Sequence, residues 1–345
     1  MDGRLGIVIF GFGRIGRIHA RSLIESRRAH ILCIVEDLDE ATREAITSPE
    51  WNLHIDHGTL VVQPADAEKV LADGRVKGVI VCVPTRLHDN VIELACKYKK
   101  HIFCEKPISA TLDGTEKSYE LARQAGVTLF CALNRRFDPA LAKIQKQVAD
   151  GRVGKLQLVT NFVRDHPEPP ASYFNAGSGS MFVDVGIHSF DLISWVAGEY
   201  PTQVTAMGHA HNEAYRKRND IDVMALMLKY PSGLIAYVDS CRYAPYGYDQ
   251  RFEVIGNKGA LVAENQRDDQ LIVRTEEGDT TTPIQYSFPE RFQKSYAAEI
   301  GHFLDILEGK VECAITSESV INGIKVALAA EEACKSGRVT DIHYD

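Results

Sequence analysis

A glycine-rich turn near the start of the chain constrains the fold more than any other feature. The segment follows the apolar run Leu5–Phe10, matches G-x-G-x-x-G and reads Gly11-Phe12-Gly13-Arg14-Ile15-Gly16. In that setting Gly11 permits a tight turn, Gly13 lets a pyrophosphate approach the backbone, and Gly16 lets a helix pack closely on the sheet. The N-terminus of that helix faces the anion. The sequence therefore predicts a dinucleotide-binding turn, against the alternative of a glycine turn without ligand.

The first third of the chain alternates between two hydrophobic periodicities. Short runs rich in β-branched residues predict buried parallel strands over Leu5–Phe10, His30–Glu36, Gly78–Val83, His101–Cys104 and Val127–Cys131. Helical periodicity lies between them, over Arg14–Glu25, Ala65–Ala72, Leu87–Tyr98 and Thr111–Ala125. This alternation predicts an α/β fold, a doubly wound Rossmann sheet. The stretch 47–58 has no clear periodicity and supports no assignment.

After Asn134 the pattern changes to consecutive strands with only a few helices. Alternating runs predict strands over Leu156–Arg164, Val204–His209, Val223–Tyr230, Leu234–Ser240, Phe252–Ile255, Leu261–Ala263 and Gln270–Arg274. Helices are expected over Pro139–Val148, Asp184–Ala197, Tyr296–Leu307 and Ser319–Lys335, and a Pro-, Gly- and Ser-rich loop over His166–Ser180. This order predicts a C-terminal α+β domain with an open, mainly antiparallel sheet. We expect a Rossmann domain over residues 1–133 and a substrate-binding and oligomerisation domain over 134–345.

Composition narrows the class of partner. The chain has 345 residues and a formal net charge of −8, without the basic patch that nucleic-acid binding requires. No stretch approaches the roughly 20 apolar residues of a membrane span. The eight cysteines include no C-x-x-C pair, and Cys33, Cys82, Cys104 and Cys131 lie in apolar runs that predict buried strands. We therefore expect a cytoplasmic protein with a small-molecule partner, and neither nucleic acid nor membrane.

An acidic pair follows the second predicted strand and indicates which dinucleotide binds. Glu36 lies twenty residues after Gly16, where a carboxylate can accept the ribose hydroxyls of NAD, and Asp37 is adjacent. The same charge would repel the 2′-phosphate of NADP, and the nearest cation that could offset it is Arg43. NAD is the predicted cofactor, although a solvated acid in a turn is the alternative.

Two further strand ends supply candidates for the cofactor crevice, because loops at the carboxyl ends of parallel strands face it. Pro84 and Thr85 follow one strand and are expected on the ribose or nicotinamide side. His88 lies on the next helix, where a surface position is equally consistent with the pattern. Glu105, Lys106 and a proline follow the other strand. Lys106 is placed to point into a site, although a strand-end lysine is more often a surface residue.

A second candidate site combines an acid and a histidine on one predicted helix. The pattern is Asp184-x-x-x-His188-x-x-Asp191-x-x-x-Trp195, whose offsets place all four side chains on one helical face. A carboxylate one turn before an imidazole can orient it and raise its basicity, which suits a general base. The alternative is a helix-terminal acid beside a core histidine. No further ligands at metal spacing accompany the pair, so we predict no metal site.

Taken together, these motifs resemble the glucose–fructose oxidoreductase, inositol dehydrogenase and rhizopine-catabolism family. The match covers nearly the whole chain and includes the glycine loop, Glu105-Lys106-Pro107, Asn134-Arg135-Arg136-Phe137-Asp138 and the segment 184–191. Arg164-Asp165, the Pro-rich stretch to Pro170, the segment 182–188 and Tyr246-Gly247-Tyr248-Asp249 are most similar to inositol 2-dehydrogenases. The family fold agrees with the two-domain prediction above.

The resemblance implies an activity and a role for individual residues. It implies NAD-dependent hydride removal from a cyclic polyol, myo- or scyllo-inositol, giving a ketoinositol. Lys106 would be the catalytic lysine, His188 the proton acceptor, and Asp184 the group that holds both substrate and imidazole. Arg135, Asp165 and Tyr248 would line the polyol pocket. The family also implies a homodimer or homotetramer formed through the C-terminal sheet.

Two departures from the family pattern leave the substrate open. His166 follows Arg164-Asp165 where inositol dehydrogenases often have proline, and Gly177-Ser178-Gly179-Ser180 replaces a segment usually written with two glycines. An aldose, a deoxysugar or a dihydrodiol is therefore an alternative substrate. A non-catalytic NAD-sensing regulator on the same fold is a further alternative, and it would be expected to lose the lysine or histidine that this chain retains.

Overall fold

A computed structural model describes residues 3–39, 46, 59–169, 177 and 179–344. The unassigned stretch 47–58, Arg43, Pro170 and Ser178 lie outside these residues. The chain forms two compact units that alternate along the sequence. The first contains Met1–Asn134 and Lys294–Ile321, and the second contains Arg135–Asn175, Gly179–Gln293 and Asn322–Asp345. The division at 133/134 stays a prediction, and residues 294–321 belong to the first unit.

The first unit contains a six-stranded parallel sheet in the order β3-β2-β1-β4-β5-β6. Its strands are β1 (Leu5–Phe10), β2 (Ala29–Val35), β3 (Leu60–Val62), β4 (Val76–Val81), β5 (His101–Cys104) and β6 (Leu129–Cys131). This is the doubly wound order whose direction reverses between β1 and β4, so the crevice for a ligand lies outside the carboxyl ends of those strands. The predicted Rossmann sheet is confirmed. The sequence missed β3, a three-residue edge strand without a buried side chain.

Helices connect these strands at the expected places. They are α1 (Arg14–Ser26), α2 (Ala67–Leu71), α3 (His88–Lys97) and α4 (Leu112–Ala125). The ends of α4 show why this segment is helical, since the Thr111 side chain caps the N-terminus and Gly126 adopts a left-handed conformation at the C-terminus. The helices of the first unit therefore follow the periodicity of the sequence, and α4 also follows its capping signals.

The second unit contains a seven-stranded sheet in the order β12-β11-β7-β10-β9-β8-β15 and a two-stranded hairpin. The strands are β7 (Leu156–Arg164), β8 (Gln203–His209), β9 (Val223–Lys229), β10 (Ile235–Cys241), β11 (Asp249–Gly256), β12 (Gly259–Ala263), β13 (Ile272–Thr275), β14 (Gly278–Thr281) and β15 (Thr340–Asp341). Among the described strands of this second sheet, only β7 and β10 pair in parallel, so the predicted mainly antiparallel sheet is confirmed.

One face of this sheet is covered and the other is open. The described helices that lie wholly within the unit are α5 (Pro139–Ala149), α6 (Ile187–Ala197), α7 (Glu213–Arg216) and α8 (Phe288–Arg291). Alternate strand residues such as Val159, Val238 and Phe252 are buried in a core that includes the apolar side chains of α6. The alternating residues of the opposite face include the exposed Met207 and Met227. The period of two in the sequence thus separates a packed face from an open one.

Two helices close the chain, α9 (Gln293–Leu307) and α10 (Ser317–Ser336). From Lys294 onward α9 belongs to the first unit and packs on its sheet, where a Cβ on Gly78 would lie 3.1 Å from side-chain atoms of Phe303 and Leu307. The ring of Phe303 also meets that of Phe103 on β5 at 5.7 Å. Sequence order alone predicted α9 as part of the C-terminal domain, because apolar periodicity does not specify which sheet a helix covers.

Candidate active site

The glycine loop has the geometry that a bound pyrophosphate requires. Gly11 has a φ of +87°, and a Cβ there would lie 2.6 Å from the main-chain carbonyl of Cys82. A Cβ on Gly16 would lie 2.2 Å from the carbonyl oxygen of Gly11. By contrast, no heavy atom of the described residues beyond the local backbone lies within 4 Å of the Cβ position of Gly13, so this backbone is open among them. The surroundings of the three glycines thus fit a tight turn at Gly11, an open backbone at Gly13 and close packing at Gly16, and the approach of a pyrophosphate to Gly13 stays a prediction.

The helix that starts at this loop leaves its N-terminus available for an anion. No side chain caps α1 at Gly13, and its first turn, which starts with the exposed Arg14 and the half-buried Ile15, contains no acidic residue. The N–H groups of the first turn and the helix dipole favour a negative ligand at this end. The loop thus fits the pyrophosphate of a dinucleotide.

Glu36 lies against the same loop. Its Oε2 accepts a hydrogen bond from the backbone N–H of Phe12, and its Oε1 accepts one from the N–H of Asp37 at 2.9 Å. Arg17 donates to the carbonyl of Phe12 at 2.8 Å, and burial lowers the pKa of this guanidinium while the charge of Glu36 opposes the shift. The carboxylate is therefore fixed beside the loop where ribose hydroxyls are expected, whereas Asp37 is exposed.

At the end of β4 the predicted crevice residues differ in accessibility. Pro84 is exposed, while Thr85 is buried and begins a 3₁₀ turn. His88 is 1% exposed. Its Nδ1 lies 2.9 Å from the carbonyl oxygen of Pro107, and its Nε2 lies 2.9 Å from that of Val83. Burial lowers the pKa of His88, against the effect of these carbonyls. The imidazole therefore ties the loop after β4 to the loop after β5, and direct cofactor contact by His88 stays a prediction.

Behind Lys106 lies a set of buried ionisable groups. His19 is fully buried, and its Nε2 lies 2.7 Å from Oε1 of Glu105, whose Oε2 accepts from the backbone N–H of Lys106 at 3.2 Å. Glu299 on α9 is also fully buried, and burial together with the charge of Glu105 raises its pKa well above the usual range. Sequence analysis missed Glu299 because α9 lies far along the chain from the motifs. It missed His19 on α1 because residue spacing does not reveal its contact with Glu105.

In the second unit, the segment that carries the acid–histidine pair starts with a π-helical turn, Phe182–Gly186, before α6 begins at Ile187. The prediction of one regular helix from Asp184 is therefore wrong for its first turn. Such turns are rare and occur frequently at functional sites. Asp184 is 1% exposed, and its Oδ2 accepts a hydrogen bond from Nη1 of Arg242 at 3.1 Å. His188 follows on α6.

The other two residues of the predicted helical face serve a different contact. Arg136 donates through Nε to Asp191 at 2.9 Å, and its guanidinium lies 5.5 Å from the ring of Trp195. Asp191 is thus paired with an arginine from the Asn134–Asp138 segment. The structure separates the pattern into Asp184, which faces Arg242, and Asp191, which faces Arg136.

The predicted pocket residues lie at two places in the second unit. Arg135 and Tyr248 share one aromatic neighbour, since the guanidinium of Arg135 is 5.6 Å and the ring of Tyr248 is 6.1 Å from the ring of Phe292. Asp165 lies just after β7, where its N–H donates to the carbonyl of Cys241 at 2.8 Å. That bond places Asp165 beside the end of β10, from which Arg242 follows.

The described ranges 3–39, 59–169 and 179–344 contain no group of three or more His, Cys, Asp or Glu arranged to hold a metal ion. Within the same part of the chain, no helix combines the length and apolar character needed to cross a bilayer. All eight cysteines are unbridged.

A Rossmann unit with an open glycine loop and a carboxylate held beside it, followed by a unit of mainly antiparallel sheet that carries Asp184 and His188, is typical of two-domain NAD-binding oxidoreductases. Two family models match this chain. An oxidoreductase family with an NAD-binding Rossmann fold matches residues 5–133, and a GFO/IDH/MocA C-terminal domain matches residues 141–262. The chain belongs to the GFO/IDH/MocA oxidoreductase family.

Individual relatives cover both chains almost completely. The inositol 2-dehydrogenase of Rhizobium meliloti is 34% identical, over 99% of this chain and 100% of its own length. The crystal structure of a myo-inositol dehydrogenase from Corynebacterium glutamicum has a TM-score of 0.88 at 27% identity, covering 99% of each chain. That of a scyllo-inositol dehydrogenase from Lactobacillus casei with bound NAD(H) and scyllo-inositol has a TM-score of 0.84 at 26% identity, covering 98% of this chain and 99% of that one.

Proposed function

We propose that this protein is an NAD-dependent inositol 2-dehydrogenase, which oxidises one secondary alcohol of myo- or scyllo-inositol to a ketone. The observation that carries the proposal is the retention of Glu36 at the glycine loop together with Lys106, Asp184 and His188, in a chain whose relatives act on inositols. A regulator that only senses NAD would have no use for an acid–histidine pair and a catalytic lysine.

The cofactor would be held by the first unit. The N–H groups at the start of α1 bind the pyrophosphate, and Glu36 accepts hydrogen bonds from the adenosine ribose. When bound, NAD supplies the acceptor for the hydride. Its 2′-hydroxyl can donate to Glu36, whereas the 2′-phosphate of NADP would place negative charge against this carboxylate.

The chemical step needs a group that takes the hydroxyl proton and a group that stabilises the oxygen. We assign the proton to the imidazole of His188 and the oxygen to the ammonium of Lys106. The hydrogen bond from Lys106 strengthens as the oxygen becomes more negative, so it lowers the barrier. Asp184 orients the imidazole and accepts from a substrate hydroxyl. Arg135, Asp165 and Tyr248 bind the remaining hydroxyls of the ring.

We also propose that the open face of the second sheet forms an interface in a homodimer or homotetramer. Its exposed apolar side chains, among them Met207, Met227, Ile235 and Val262, favour burial against a second copy of the chain. The unbridged cysteines are consistent with a reducing compartment, and we place the enzyme in the cytoplasm.

The test is NADH formation at 340 nm over a panel of inositol isomers, aldoses, deoxysugars and dihydrodiols. We expect the highest kcat/KM with an inositol. The Lys106→Ala variant should lose about 10²–10³ in kcat, the usual cost of removing one donor to a developing oxyanion. Faster turnover of an aldose or dihydrodiol would reassign the substrate. Activity of Lys106→Ala within about threefold of wild type would remove the lysine from the mechanism, because a surface lysine contributes nothing to turnover.

A further inference from the structure

Arg242 is a buried cation that none of the sequence motifs includes. It directly follows β10, is 2% exposed, and donates from Nη1 to Asp184 and from Nη2 to Asp220, both at 3.1 Å. Asp184 is 2% and Asp220 is 15% exposed in the side chain. A guanidinium shared by two carboxylates can satisfy both through its planar fork, which an ammonium cannot do with the same geometry.

Further contacts fix Arg242 itself. The ring of Tyr215, which is 1% exposed, lies 5.4 Å from the guanidinium carbon. The backbone N–H of Arg242 donates to the carbonyl of Asp222 at 2.8 Å, and the Asp222 side chain accepts from the N–H of His211 at 2.9 Å. Both the backbone and the guanidinium are thus held in place, which lowers the entropic cost of holding Asp184 in one orientation.

Asp220 extends this arrangement to the backbone that carries Asp184. Its Oδ1 accepts from the N–H of Met181 at 2.9 Å, immediately before the π-helical turn begins at Phe182. The Arg242–Asp220 pair therefore holds the start of the turn, while the Arg242–Asp184 pair holds the carboxylate within it. One arginine thus contacts both the carboxylate of Asp184 and the aspartate that binds the start of its turn.

We propose that Arg242 is a positioning residue for the reaction, which fixes the carboxylate of Asp184 and keeps it ionised. This inference rests on the proposed function, in which Asp184 orients His188. A permanent cation within hydrogen-bond distance favours the charged form of a buried carboxylate. Without Arg242, Asp184 would be a buried charge without its cation, and it would take up a proton or another orientation.

A second buried ion pair in the same unit provides the control. Arg291 donates from Nη1 to Asp138 at 2.7 Å, both side chains are 2% exposed, and an aromatic ring lies 4.6 Å from this guanidinium as well. That ring is Phe292, which also neighbours Arg135 and Tyr248. Asp138 caps α5, so this pair stabilises a helix end and the proposed substrate-binding side, where its loss can raise KM, and does not hold the carboxylate of Asp184. Loss of either arginine should lower Tm, but only loss of Arg242 should change the chemical step.

The experiment compares Arg242→Ala, Arg242→Lys and Arg291→Ala with wild type, using the alcohol that wild type oxidises fastest. Each kcat is normalised to NADH-binding sites measured by fluorescence titration. We expect the kcat of Arg242→Ala to fall by about 10- to 100-fold, while its affinity for NADH is almost unchanged. Guanidinium ion at a low, non-denaturing concentration should restore much of that loss, and methylammonium should restore less, because it lacks the planar fork. Arg291→Ala should keep its normalised kcat in both conditions.

Arg242 would be a stabilising residue only if the normalised kcat of Arg242→Ala is within about threefold of wild type. The same conclusion would follow if guanidinium does not reverse the loss of kcat and Arg291→Ala shows the same loss. If Arg242→Ala does not fold, Arg242→Lys decides the question through the same ratio: a loss of about tenfold or more supports positioning, and wild-type turnover overturns it. Wild type in the same assay tests the proposed function separately. A different substrate would correct that function and leave the comparison of arginines intact.

Discussion

The two units hold negative charge in different ways. In the first, the loop for the pyrophosphate consists of backbone N–H groups and glycines, and Glu36 is held by the backbone N–H groups of Phe12 and Asp37. In the second, Asp184 is held by the side chain of Arg242, which two aspartates share. Backbone donors persist through most substitutions, whereas a buried ion pair fails when either partner is lost. We therefore expect the second unit to be the more sensitive to single side-chain changes.

The largest effect in this comparison is expected at His188. His188→Ala should lower kcat by roughly 10²–10⁴, the usual range for loss of a general base, while NAD affinity barely changes because the loop belongs to the first unit. Steady-state kinetics and a binding titration provide the two numbers. Near-normal kcat in His188→Ala would make His188 a structural histidine. The second unit would then lose its proposed general base.

A smaller effect is expected at Glu36. Wild type should prefer NAD over NADP in kcat/KM by at least about tenfold, equivalent to about 1.4 kcal/mol. Glu36→Ser should narrow that ratio, because it removes the charge that repels the 2′-phosphate. Asp37→Ser is the matched control, since Asp37 is exposed and next in sequence. Equal narrowing by both variants, or equal turnover of NADP by wild type, would refute the role given to Glu36.

The smallest effect is expected at Glu299, the buried carboxylic acid of the first unit, and it concerns the stability of the protein. The pKa of Glu299 is raised mainly by burial, so the native protein keeps a proton that the unfolded chain releases above the ordinary pKa of a glutamate. Wild type therefore loses stability as pH rises from that value toward the raised pKa, and Glu299→Gln should not. The Tm advantage of the variant should grow as pH rises above the ordinary pKa of a glutamate, at about 1–2 °C per kcal/mol for a chain of this length.

The exposed Glu116→Gln is the control for that measurement and should show no such growth with pH. A parallel pH dependence of Tm in wild type and Glu299→Gln would show that Glu299 is ionised in the native protein. The first unit would then contain a buried ionised carboxylate, Glu299, besides Glu36, whose charge is held by backbone N–H groups. The difference in how the two units hold negative charge would therefore be smaller.

The predictability of each part of the site follows from the range of its contacts. Glu36 and Phe12 are 24 residues apart within one strand–helix–strand unit, and the spacing of that unit is set by backbone geometry. Arg242, just after β10, and Asp184, in the π-helical turn, are 58 residues apart, and residue spacing does not reveal their contact. The sequence did not decide whether His88 faces the cofactor crevice or the surface, because helical periodicity does not show that two carbonyl oxygens contact its ring nitrogens.

The same reasoning applies to the fold. Both sheets could be predicted, since buried parallel strands and alternating antiparallel strands have different periodicities. The edge strand Leu60–Val62 could not, because a run of three apolar residues is too short to indicate a strand. The π-helical turn at Asp184 could not either, since its sequence is equally compatible with an α-helix.

The most direct test of the account is to follow the hydrogen that leaves the substrate. Wild type is incubated with NAD and with myo- or scyllo-inositol that carries deuterium on every ring carbon, and the products are analysed by mass spectrometry. We predict one deuterium in each NADH molecule formed, with an equal amount of ketoinositol. NADH without deuterium, or no NADH from any inositol while another alcohol is oxidised, would contradict the central claim that this enzyme removes hydride from an inositol ring.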